Sequence, residues 1–95
     1  MMCPMDHRRL RPMTRPPGAP RILTADGTVG ITWTQPSGNG RQVLTFTIYE
    51  QGSVLDVVPG DQLQWPYAPS PGLSYQVSAT TSAGEGQRSA AVVAS

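Results

Sequence analysis

The chain has 95 residues, a formal net charge of +1 with its histidine neutral, and a single cysteine. That length holds one domain, and one cysteine excludes an intrachain disulfide, so packing alone must stabilise the fold. No apolar run is long enough to cross a bilayer as a helix, and the opening MMCPMDHRRL lacks the apolar core of a secretory signal, so the chain as written is expected to stay where it is made.

Residues 1–15 carry Arg8, Arg9, Arg11 and Arg15 against Asp6, with neither a twofold nor a 3.6-residue period. This predicts a flexible basic arm. From Pro16 onward Arg21, Arg41 and Arg88 are outnumbered by Asp26, Glu50, Asp56, Asp61 and Glu85. A slightly acidic body argues against nucleic acid as a partner. Arginines without interleaved aromatics read as a solubilising tail, so no membrane partner is expected either.

Pro16, Pro17 and Pro20 stiffen the approach to the first apolar alternation and mark the start of a domain spanning residues 16–95. Residues 21–25 predict an edge strand, and Asp26-Gly27 a turn. Val29, Ile31 and Trp33 then alternate with Gly30 and Thr32, which predicts three apolar side chains on one strand face. Residues 35–41 hold Pro36, Ser37, Gly38, Asn39 and Gly40 and predict a loop.

Residues 43–50 give the best strand pattern, with Leu44, Phe46 and Ile48 on one face and Val43, Thr45, Thr47 and Tyr49 on the other. Gly52-Ser53 predicts a turn, residues 54–58 a returning strand, and Pro59-Gly60-Asp61 another turn. Leu63, Trp65 and Tyr67 alternate with Gln64 and Pro66, which implies a short or edge strand. Trp65 and Tyr67 read as core residues, with an exposed aromatic pair that could stack on a sugar or a partner surface as the alternative. Leu73, Tyr75, Val77, Ala79 and Thr81 share one face of a long strand. A hairpin loop over residues 83–87 and a last strand over residues 89–94 follow. No apolar segment has helical spacing. Seven short strands predict an all-β, antiparallel Greek-key sandwich of two sheets.

In order, the Pro16-Pro17-x-x-Pro20 approach, Trp33, Phe46-x-Ile48, PGLSYQVSA from Pro71 to Ala79, and SAGEGQRS from Ser82 to Ser89 resemble the fibronectin type III domain. The resemblance covers residues 16–95 and implies an immunoglobulin-like sandwich, monomeric, extracellular and non-catalytic. Its bacterial members typically space or orient domains beside carbohydrate-active enzymes. The family's corner tyrosine falls on Tyr75 when counted from Pro71-Gly72, or at Leu73 when counted back from Ala83-Gly84; the buried phenol of Tyr75 favours the first. Phe46 and Glu50 stand where the family often has other aromatics.

Catalysis needs converging groups with matched protonation states. His7, the only histidine, lies in the arm with Cys3 and Asp6, too unstructured a trio to hold a metal. Asp56 and Asp61 read as solvated turn carboxylates, and Gly84-Glu85-Gly86 precedes no helix and so forms no phosphate loop. No enzyme activity, cofactor or metal is expected. The alternative to a spacer is a module that binds protein or polysaccharide through two loops at one end, with Ser37, Asn39, Arg41, Glu85 and Arg88 as the candidate contacts.

Overall fold

A computed structural model describes residues 15–95. The expected arm, with Cys3, Asp6 and His7, lies outside the described residues except for Arg15. Eight strands follow in chain order: β1 Ile22–Asp26, β2 Gly30–Trp33, β3 Thr45–Glu50, β4 Ser53–Pro59, β5 Gln64–Trp65, β6 Ser74–Thr81, β7 Gly84–Glu85 and β8 Val92–Val93. All pairings are antiparallel. One sheet runs β1-β2-β5; the other runs β4-β3-β6-β7, with β8 also paired to β6. No described residue is helical.

The inner faces meet in one cluster. Ile22, Ala25, Ile31 and Trp33 come from the three-stranded sheet, and Phe46, Ile48, Val58, Tyr75, Val77 and Ala79 from the five-stranded one. Trp33 and Phe46 touch with ring centroids 5.4 Å apart and planes tilted by 59°, the offset geometry that aromatic quadrupoles favour. Burying a side chain of this size contributes about 1.5–3 kcal/mol. The packing leaves the indole N–H of Trp33 buried without a partner among the described residues, at a cost of about 1–3 kcal/mol.

Tyr75 is fully buried, yet its hydroxyl is satisfied twice. It accepts the Ser70 N–H at 2.7 Å and donates to Glu50 Oε2 at 2.6 Å. Tyr75, not the half-buried Leu73, therefore closes the corner before β6. Its phenol is pushed above its ordinary pKa, first by burial and then by the Glu50 carboxylate.

Several expected positions differ. Val29 is exposed, because Asp26 Oδ1 accepts the N–H groups of Thr28 and Val29 at 2.9 and 3.0 Å and Gly30 turns through φ +86° before the strand alternation starts. Leu44 is exposed and Val43 buried, since regular alternation begins only at Thr45. Leu63 and Tyr67 are exposed too. Strand β5 keeps only two residues, with Pro66 directly after it unable to donate to a ladder.

The hairpin loop expected over residues 83–87 is tighter, with Ser82-Ala83 turning and Gly84–Glu85 already paired. The strand expected over residues 89–94 is reduced to β8. Between β7 and β8, Ser89 substitutes for a ladder: its Oγ accepts Val77 N at 3.0 Å and its N–H donates to Val77 O at 2.8 Å.

Gly30 and Gly52 share φ +86°, but a Cβ on Gly30 would lie 2.1 Å from Trp65 O, whereas one on Gly52 would meet nothing within 4 Å. Urea unfolding should therefore show Gly52→Ala costing about 1 kcal/mol of backbone strain and Gly30→Ala about 3 kcal/mol or more. Equal costs would remove the close approach of β5 to β2 from the account.

Candidate functional site

The loop over residues 35–41 and the β6–β7 turn lie together, since Arg41 Nη1 donates to Ser82 Oγ at 2.8 Å. Asn39 adopts the left-handed conformation, φ 53°, which asparagine tolerates better than most residues. Its own N–H donates to Ser37 Oγ at 3.1 Å, and its side-chain Nδ2 donates to Pro16 O at 2.6 Å. Beside it an open depression of ≈ 390 Å³ is lined by Arg15, Pro16 and Pro17 together with Asn39, Glu85, Gly86 and Gln87.

Glu85 and Arg88 belong to a second cluster, on the outer face of the five-stranded sheet. Register places Thr47 opposite Ser78, Tyr49 opposite Gln76 and Thr80 opposite Glu85, all pointing away from Phe46 and Val77. There Tyr49 donates its hydroxyl to Glu85 Oε2, and Ser78 Oγ donates to the same oxygen at 2.5 Å. Arg88 covers the Tyr49 ring with its guanidinium carbon 3.7 Å from the centroid, a cation–π contact. Tyr49 and Ser78 are buried on this outward face and were not among the residues singled out from sequence. The one signal available was an aromatic at an outward-alternating position.

Hydrogen bonds from Ser78 and Tyr49 hold the Glu85 carboxyl below its ordinary pKa against the opposing effect of burial, with Arg88 assisting. The Tyr49 phenol is pushed up by burial and then by Glu85. Held ionised, with two hydroxyls donating to it, Glu85 is an acceptor that pins two-residue β7 to β3 and β6.

Asp56 is half-buried on β4, not a solvated turn residue. Its Oδ2 accepts Trp65 Nε1 at 2.9 Å and its Oδ1 accepts the N–H of Val57 at 2.8 Å. Trp65 is half-buried against the core, while Tyr67 stands 61% exposed with its ring edge-on to Trp65 at 5.2 Å. Among the described residues no three His, Cys, Asp or Glu groups converge as metal ligands, and no helix is long and apolar enough to cross a membrane.

In comparisons with known proteins, no family model and no curated protein matches the sequence.

Because Glu85 is depressed in the folded state, its contribution is fully present above the ordinary glutamate value of about 4.3 and is lost as pH falls through the folded value. Glu85→Gln should therefore lower stability at neutral pH and flatten the acid limb of a stability–pH curve followed by chemical denaturation. An unchanged acid limb would contradict the assignment. Tyr49 and Tyr75 have the opposite sign: their neutral forms support the fold up to about pH 10, and that support fades as pH rises through their folded values. Ultraviolet titration should show two phenols ionising late, one lost in Tyr49→Phe and the other in Tyr75→Phe.

Proposed function

We propose that this chain is a non-catalytic module of the fibronectin type III kind, an immunoglobulin-like Greek-key sandwich that spaces or orients its neighbours in a larger extracellular protein. The observation that carries this reading is where the two ends of the described segment are tied. Pro16 and Gly18 bond the 35–41 loop near the start of β1. At the other end of β1, Ser95 N donates to Ala25 O at 3.1 Å, and Ala94 exchanges backbone bonds with Leu73 and Gly72. A module anchored at opposite ends transmits separation and direction between what it joins.

The family reading draws support from the sheet orders β1-β2-β5 and β4-β3-β6-β7. It also draws support from the Tyr75 hydroxyl, which takes a backbone N–H five residues upstream, as a tyrosine corner does. The candidate loop contacts are largely used internally: Asn39 on Pro16, Arg41 on Ser82, Glu85 on Tyr49 and Ser78, and Arg88 on the Tyr49 ring.

A second reading, polysaccharide binding, rests on a different observation, the exposed Tyr67 ring braced by Trp65. Affinity electrophoresis against soluble polysaccharides and pull-down on insoluble ones separates the two. The spacer reading expects no retardation and no depletion. Tight binding that Tyr67→Ala abolishes would establish the second reading in its place.

A further inference from the structure

We propose that residues 16–18 are docked as a rigid joint, gripped between the 35–41 loop and Gly86, so that the chain enters the module at Pro16 in one fixed direction. The inference rests on the reading of the module as an orienting domain and names the part that sets the direction. The loop that sequence marked for outside partners takes the chain's own proline segment as its ligand.

Two hydrogen bonds hold one side of the segment. Asn39 Nδ2 donates to Pro16 O at 2.6 Å, and Gly18 N donates to Ser37 O at 2.9 Å. The other side is steric. A Cβ on Gly86 would lie 2.1 Å from Pro17 O and 3.0 Å from its carbonyl carbon, so only glycine lets these two backbones touch.

Both jaws are set by contacts away from the segment. Ser37 Oγ holds the N–H of Asn39, and Arg41 braces the loop on Ser82. Gly86 N donates to Ala79 O at 2.8 Å, and neighbouring Glu85 is fastened to Tyr49 and Ser78. The segment is stiff as well, because Pro16 and buried Pro17 have φ fixed by their rings and lose little freedom on docking. Rigid parts meeting rigid parts give a joint with a defined angle rather than a hinge.

The two prolines carry no N–H, so Gly18 is the reporter. In the ¹⁵N-labelled 95-residue chain, its amide should exchange at least about tenfold slower than an unstructured glycine, with a heteronuclear NOE equal to those of Ile48 and Val77. Asn39→Asp keeps the shape and the left-handed tolerance but turns an acceptor towards Pro16 O. Gly86→Ala places a methyl against Pro17. Each should return Gly18 to within about twofold of the unstructured rate while Ile48 and Val77 stay protected.

A Gly18 amide that exchanges freely in the unmodified chain, or stays protected in Asn39→Asp, overturns the joint. If Gly86→Ala also strips protection from Val77, Asn39→Asp alone decides. The outcome is separable from that of the spacer reading. A chain that binds polysaccharide yet protects Gly18 keeps the joint and loses the spacer, and one that binds nothing but leaves Gly18 unprotected does the reverse.

Discussion

The contact of Trp33 and Ile31 with Phe46, Ile48 and Val77 across the sheet interface is what the remaining structure depends on. With one cysteine in the sequence, no intrachain crosslink can substitute for it. The close fit is favoured strongly enough to leave a buried indole N–H unpartnered among the described residues. Tyr75 supplies a polar anchor within this interior, linking the corner at Ser70 to Glu50 at the end of β3. Its aromatic body belongs to the core and its hydroxyl to the backbone, so one residue fixes both how the sheets face and how the chain turns into β6.

Most of that core was readable from sequence because it obeys a period of two. Ile31 and Trp33, Phe46 and Ile48, and Tyr75, Val77 and Ala79 are inward as the alternation predicts. The positions that departed are those where the backbone leaves regular geometry. Gly30 rotates through a positive φ and so separates Val29 from the strand it looked part of. Pro66 stops β5 before Tyr67, and the irregular stretch before Thr45 turns Leu44 outward and Val43 inward. Alternation says which residues share a face only after the first residue of a strand is known, and single sequences define that start poorly.

The end-loop residues were legible as loop residues but not by what they touch. Asn39 and Pro16 are distant in sequence, as are Tyr49 and Glu85, and no local pattern encodes such meetings. Glu85 read as a hairpin-loop residue and candidate partner contact because its two-residue strand has no hydrophobic signature. Its role comes from Ser78 and Tyr49, whose hydroxyls face outward on neighbouring strands. Polar groups used this way are spent within the molecule, and their residue types look the same as those that greet a partner.

Strand β4 lies at the edge of its sheet and carries exposed Val54, Leu55 and Val57, the composition that invites a strand from another molecule to add on. Asp56 sits in the middle of it with both carboxylate oxygens occupied, one by Trp65 and one by the N–H of Val57. An arriving chain finds that donor already taken, a ladder whose register shifts near Ile48 and Tyr49, and Pro59 at the far end. Each of these features discourages strand addition along an apolar rim that the sheet otherwise leaves open.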